Sequence, residues 1–267
     1  MIDLHLHTDR CGHARGTMQQ YIARARELGL IAIGFADHIP MYWLPPGQRD
    51  PELAMPQEQF GDYVREVLDW RDKCPDIGIY LGVEADFQVG YEDVLTGLIK
   101  THPLDYVLGS IHFIDGWGFD NPALRDEYAR HDPDELYESY FALVEQAVAS
   151  GLFDSMAHVD LLKKFAFWPR RPLTHLYQRL AGLMAQADVC VELNTAGLRV
   201  PANEMYPAVE LLRACFQHCV PVTLGSDAHA PEQVGWEFGR AINLLREVGY
   251  GEITYFVGRR RFCRRLP

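Results

Sequence analysis

Residues 1–10 read MIDLHLHTDR. Side chains of an extended chain alternate between two faces, so His5 and His7 share one face while Ile2, Leu4 and Leu6 take the other. Two imidazoles on one face of an otherwise apolar strand are costly to bury unless each has a partner. Six further β-like runs, rich in Val, Ile, Leu and small residues, follow this one: IAIGFADH (31–38), IYLGVEAD (79–86), YVLGSIHF (106–113), SMAHVD (155–160), VCVELNTAG (189–197) and PVTLGSDAH (221–229). Helix-length segments separate them. TMQQYIARARELGL (17–30) begins at a candidate N-cap, Thr17, and stops at Gly29; DELYESYFALVEQAVASG (134–151) runs from an Asp cap region to Gly151. Strand and helix alternate through the whole length, which predicts an α/β fold with parallel strands under a ring of helices. No low-complexity linker or composition break interrupts the pattern, so residues 1–267 read as one domain.

The chain has 267 residues, 48% of them hydrophobic, enough to bury a full core. Its 25 basic and 37 acidic residues give a net charge of −12, which disfavours general attraction to nucleic acid or to an anionic membrane. An anionic substrate then needs local positive charge, from metals or a few arginines. No apolar stretch approaches the roughly 18 residues of a membrane span, and Met1 leads into the first strand with no basic segment or cleavage site, so a cytoplasmic location is expected. The six cysteines form no CxxC pair and read as reduced thiols. The tail GRRRFCRRLP (258–267) reads as a solvated basic terminus or a cap on the last helix.

Seven of the eleven histidines fall on or just after the proposed strands: His5, His7, His13, His38, His112, His158 and His229. Glu84 and Asp227 occupy similar strand-end positions, and Asp227 and His229 repeat the spacing of His5 and His7. Parallel barrel strands all aim their C-terminal ends at one mouth, so these residues are expected to converge there as a metal site. Nine ligands exceed the needs of one ion, which implies several metals, with a carboxylate such as Glu84 able to bridge two of them. A nitrogen and oxygen donor set without thiolate suits Zn, Mn or Fe better than Mg or Ca. His102, His131, His175 and His218 lie in helices or loops and are expected to take no part. Two long irregular stretches, 41–59 and 114–133, follow strand ends and are expected to wall the pocket.

The motifs DLHLHT, with His13 six residues after His7, then ADH, GVEADF, GSIHF, AHVD and GSDAH together resemble those of the polymerase and histidinol phosphatase (PHP) superfamily. The longer strings EADFQVGYED, DYVLGSIHFIDGWGFD, HVDLLKKF and ELNTAGLR resemble its histidinol-phosphate phosphatase branch. The resemblance spans nearly the whole chain and implies a distorted (β/α)7 barrel, similar to a TIM barrel. It also implies hydrolysis of L-histidinol phosphate, a small phosphate monoester, in histidine biosynthesis, by attack of a metal-activated hydroxide. A phosphodiesterase or nuclease of the same superfamily would share every ligand. By the same resemblance, three divalent ions would sit on His5, His7, Glu84 and Asp227; on Glu84, His112 and His158; and on His13, His38 and His229. Glu84, Asp227, His38 and Arg199 are then the residues expected to carry catalysis. Arg199, just past the sixth run, is expected to clamp phosphate bidentately, with Lys163 or Lys164 assisting. Asp115 and Trp117, with Phe119 beside them, offer a carboxylate and an aromatic wall for a cationic amine and an imidazole.

Overall fold

The computed structural model describes residues 1–267. In chain order the strands are β1 (Ile2–Leu6), β2 (Ala32–Phe35), β3 (Gly78–Asp86), β4 (Tyr106–Ser110), β5 (Phe113–Ile114), β6 (Trp117–Gly118), β7 (Ser155–Met156), β8 (Cys190–Asn194), β9 (Val222–Gly225), β10 (Glu252–Val257) and β11 (Arg260–Arg265). The helices are α1 (Met18–Glu27), α2 (Phe60–Lys73), α3 (Glu92–Lys100), α4 (Pro133–Ala149), α5 (Thr174–Ala187), α6 (Val209–Gln217) and α7 (Phe238–Val248). The main sheet has seven strands in the order β1-β2-β3-β4-β7-β8-β9, all parallel, so each strand pairs with the next sheet strand in sequence. Where β1 meets β9, a parallel bridge between Leu6 and Ala228 joins the two edges, with His7 N–H donating to Ala228 O (2.9 Å) and Ala228 N–H to His5 O (3.1 Å). The result is the (β/α)7 barrel, shut at one seam near the mouth.

Local chemistry sets the helix ends. Thr17 and Gln20 form a reciprocal capping box at the start of α1, and Gly29 turns the chain at φ +65° just beyond its end. Asp132 caps α4, accepting from Asp134 N and Glu135 N, with Pro133 at the first helical position and Gly151 at φ +70° after the end. Inside the barrel, Gly34 on β2 and Gly82 on β3 leave the space filled by the ring of Tyr106 from β4, whose hydroxyl donates to Leu4 O at 2.6 Å. Tyr106 therefore ties four strands together from within.

The basic tail differs from its expected form. Residues 252–265 make an antiparallel hairpin, β10–β11, turning at Gly258-Arg259. Ile253, Thr254 and Phe256 are buried, and Phe256 stacks on Tyr106. The buried Asp105, just before β4, holds the hairpin: its Oδ1 accepts from Gly258 N (2.9 Å) and its carbonyl from Arg259 N (2.8 Å). Arg259 pairs with Asp154, and Arg261 donates to Asp188 at 2.6 Å. β10 buries Ile253, Thr254 and Phe256, and the arginine-rich segment pairs with it as β11, which is exposed along its length, so the tail is solvated as expected but ordered as a strand.

The cysteines are unpaired, and Cys11, Cys74, Cys190 and Cys215 are buried. No helix is long and apolar enough to cross a membrane. Because a methyl group at position 34 or 82 would overlap the buried Tyr106 ring, Gly82→Ala should lower unfolding stability by about 1–3 kcal/mol, measured by denaturant titration. Gly97→Ala, where a Cβ meets nothing within 4 Å, should not destabilise.

Candidate metal centre

Nine residues from six of the seven barrel strand ends, together with the loop after β1, converge at the mouth. Glu84, fully buried near the end of β3, is the hub. Its Oε1 lies 2.7 Å from His158 Nε2 and 3.5 Å from His112 Nε2; its Oε2 lies 3.1 Å from His38 Nδ1, 3.2 Å from His5 Nε2 and 3.4 Å from His7 Nε2. Asp227 faces the same space, with Oδ1 3.2 Å from His7 Nε2 and 3.8 Å from His5 Nε2. His13 and His229 complete the group with their Nε2 atoms 3.1 Å apart. Ligand atoms of His5, His7 and Glu84 lie within 4.8 Å of one another, as do those of His7, His38 and His229, and those of His5, His158 and Asp227.

What fixes these rings is a surrounding layer of acceptors. His5 Nδ1 bonds Glu192 Oε1 at 2.8 Å, and Glu192 Oε2 accepts from His158 N and Asn194 Nδ2, both at 2.9 Å. Glu192 fits because Gly225, on the neighbouring β9, has no side chain where the Glu192 carboxylate lies. His7 Nδ1 lies 3.5 Å from Asp37, which also accepts from Thr8 and from His38 N. His112 Nδ1 bonds Asp86 at 2.9 Å, His13 Nδ1 bonds the carbonyls of Cys11 and Glu52, and His229 Nδ1 bonds the carbonyl of Asp227. Four imidazoles, those of His5, His13, His112 and His229, are thus anchored through Nδ1 hydrogen bonds and turn Nε2 inward, the arrangement that orients metal-binding histidines, and His7 faces Asp37 with the same ring direction. His38 presents Nδ1 instead. Both ring nitrogens of buried His7 lack a hydrogen bond, a cost that a bound cation would relieve. The donor set and these unpartnered nitrogens fit divalent transition metals.

Electrostatics point the same way. Against burial, which would raise it, the imidazoles of His38, His5, His158 and His112 hold Glu84 well below the usual carboxylate range. Burial pushes His38 and His229 well below the ordinary imidazole value, so they are neutral and able to donate a lone pair. His5, His7 and His112 go the other way, their desolvation outweighed by neighbouring carboxylates: Glu192, Asp227 and Glu84 for His5, Asp227 and Asp37 for His7, and Asp86 and Glu84 for His112.

The mouth opens into a pocket of about 640 Å³. Both long loops wall it, as expected: Met41, Glu52, Leu53 and Ala54 from one, and Gly116, Gly118, Asp120, Asn121, Pro122 and Leu124 from the other. Arg199 also lines it; its Nη2 donates to Ser226 O and Asp227 O (2.9 Å each), while its buried Nη1 has no partner.

Three expected substrate contacts lie elsewhere. Asp115 and Gly116 form the two-residue turn of the β5–β6 hairpin with φ of +51° and +81°, which leaves the Asp115 side chain exposed; the Asp-Gly pair is the sequence signal of that turn. Trp117 packs face to face on His131 at 4.8 Å and edge-on to Tyr128, holding its own loop together. Lys163 is buried, its Nζ held by Asp160 (3.1 Å), Met205 O (2.7 Å) and Glu204 (3.3 Å), whereas its neighbour Lys164 lines the pocket and pairs with Asp120 at 3.0 Å. His102, His131, His175 and His218 lie away from the centre, on Phe60, Trp117, Glu138 and Gln178 respectively.

Residues 3–196 match the family described as PHP domain. A probable histidinol-phosphatase of Deinococcus radiodurans is 40% identical over 256 residues, 96% of each chain. The chain belongs to the PHP family. A histidinol-phosphatase of Bacillus subtilis is 28% identical, covering 88% of this chain and 96% of that one. Among solved structures, histidinol phosphate phosphatase from Lactococcus lactis, complexed with zinc, L-histidinol and phosphate, superposes with a TM-score of 0.85 at 19% identity over 98% of both chains. The PHP barrel assigned from the motifs is therefore the fold.

Sequence reasoning passed over the anchoring acceptors Asp37, Asp86 and Glu192 and the pocket carboxylate Asp120. Each stands inside a quoted motif, in ADH, EAD, VELN and GFD; for Asp37 and Asp86 the available signal was an acidic residue one or two positions from a strand-end ligand, whereas Glu192 and Asp120 have no ligand near them in sequence. Glu192→Gln should weaken metal binding by about 10–100-fold, because the amide cannot receive the His5 proton and also serve His158 N and Asn194; competition with a fluorescent chelator measures this.

Proposed function

We propose that this chain, acting as a single unit over residues 1–267, hydrolyses L-histidinol phosphate to L-histidinol and phosphate in histidine biosynthesis, in the cytoplasm. The observation that carries the reading is the meeting, at one pocket, of five imidazoles on the Glu84 carboxylate with a buried guanidinium that keeps one nitrogen free. Membership of a family whose 40%-identical relative is a probable histidinol-phosphatase supports the choice of substrate. Three ions, zinc, manganese or iron, would be held by His5, His7, Glu84 and Asp227; by Glu84, His112 and His158; and by His13, His38 and His229. When bound, such ions supply an activated hydroxide and neutralise charge on phosphoryl oxygens.

The chain's own groups do the rest by positioning and charge. Arg199, fixed through Nη2 on the carbonyls of Ser226 and Asp227, offers Nη1 to a phosphoryl oxygen. Lys164 brings a second positive charge into the pocket. Asp120, kept ionised by Lys164 and His112 against burial, provides the anionic group for the substrate's ammonium. Met41, Leu53, Phe113 and Leu161 supply apolar wall.

Chelation should abolish phosphate release, and re-addition of zinc or manganese should restore it; full activity after verified metal removal would refute the metal mechanism. Monoesters should be hydrolysed in preference to diesters at equal enzyme concentration, the reverse result favouring a phosphodiesterase. Arg199→Ala should raise KM for monoesters about tenfold or more with bound metal unchanged. Asp120→Asn should lower kcat/KM for histidinol phosphate more than for p-nitrophenyl phosphate, since only the former carries an ammonium.

A further inference from the structure

Tyr206 is 1% exposed, lines the pocket, and its hydroxyl is buried with no hydrogen-bond partner. A buried hydroxyl left unpaired costs free energy and calls for an explanation. Among the buried polar atoms of pocket-lining residues, three are unpartnered: His158 Nδ1, Arg199 Nη1 and Tyr206 Oη. His158 belongs to the metal centre through Nε2; outside that centre the unpartnered donors of the pocket are a guanidinium nitrogen and a phenol.

The placement of the phenol is rigid. Tyr206 exchanges two backbone hydrogen bonds with Asn194 at the end of β8, 2.7 and 2.9 Å long, so it is registered against the strand that carries Glu192. Its ring is held from one side by the Lys163 ammonium, 5.3 Å from the ring centroid, and meets His158 edge-on at 6.3 Å. Lys163 is in turn fixed by Asp160 and the carbonyl of Met205. The buried lysine that the sequence assigned to substrate therefore backs a side chain that does line the pocket. A phenol is protonated at neutral pH, so its hydroxyl can donate.

We propose that Tyr206 Oη donates a hydrogen bond to a non-bridging phosphoryl oxygen, beside Arg199 Nη1, so that the two form a fixed donor pair for the anion. The proposal rests on the phosphomonoesterase reading of this pocket. A phosphoryl group presents several charged acceptors at once, which suits a guanidinium nitrogen and a phenol that line one pocket without partners. Backbone register and ring packing fix the place of the phenol before the anion arrives, which limits the reorganisation needed.

Tyr206→Phe removes one oxygen atom and keeps the ring, the contact with Lys163 and the edge to His158. With metal-loaded protein, titration calorimetry with inorganic phosphate should show Kd weakened about tenfold, and kcat/KM for the monoester should fall by a similar factor, while bound metal and melting temperature stay at wild-type values. Lys163→Met, which loosens the ring but leaves the hydroxyl, should give a smaller loss of phosphate affinity. Phosphate Kd and kcat/KM within twofold of wild type in Tyr206→Phe would overturn the proposal, as would loss of bound metal in that variant, which would make the hydroxyl structural. Wild-type protein that binds phosphate but hydrolyses no monoester would overturn the phosphatase reading and still support the contact, provided Tyr206→Phe weakens that binding.

Discussion

Two backbone hydrogen bonds, from His7 N–H to Ala228 O and from Ala228 N–H to His5 O, close the ring of strands. The residues that make them are interleaved with ligands: His5 and His7 on one side of the seam, Asp227 and His229 flanking Ala228 on the other. Closing the barrel and assembling the centre are therefore one event. Asp227 adopts φ +52° immediately before the bridge, so the chain turns there and its carboxylate is delivered toward His7. Strain of this kind persists where surrounding structure enforces it, and here the seam and the Asp3 contacts to Ser226, at 2.6 and 2.9 Å, hold both neighbours.

The centre is layered. Imidazoles and carboxylates that point inward are too crowded and too dry to be satisfied by one another, as the unpartnered nitrogens of His7 record. Behind them Glu192, Asp37 and Asp86 and several carbonyls fix ring orientation. Behind those, glycine at position 225 and the Tyr106 ring lower in the barrel set how closely strands and side chains approach. Acidic groups placed behind imidazoles raise their basicity and hold their direction, so much of the chain's negative charge near the mouth serves the ligands and does not face the substrate.

Much of this was legible in the sequence. The alternation of seven apolar runs with helical segments gives the barrel, because parallel strands buried on both sides need near-continuous apolar composition. The nine inward residues were visible because strand ends converge on one mouth whatever their separation along the chain. Contacts set by side-chain direction within a loop were not visible. Asp115 and Asp120 stand five residues apart in one loop, yet the tight turn at Asp115-Gly116 sends one to solvent while the other reaches the pocket. Lys163 and Lys164 are adjacent and point to opposite sides of a single turn of 3-10 helix. The strand form of the basic tail was missed for a related reason: arginine composition speaks of solvent, which β11 does face, and says nothing of Asp105, about 150 residues away, which accepts from Gly258 and Arg259 and fixes the turn.

That hairpin has a consequence for how the molecules behave toward one another. β11 is exposed along its full length and lies outermost in its two-stranded sheet, which leaves backbone donors and acceptors available to any extended chain that approaches. Four of its six residues are arginine: Arg260, Arg261, Arg264 and Arg265. A second copy offering the same strand would bring like charges directly opposite one another, so the edge repels its own kind. The arginines thus act as a guard against edge-to-edge aggregation in an otherwise acidic protein.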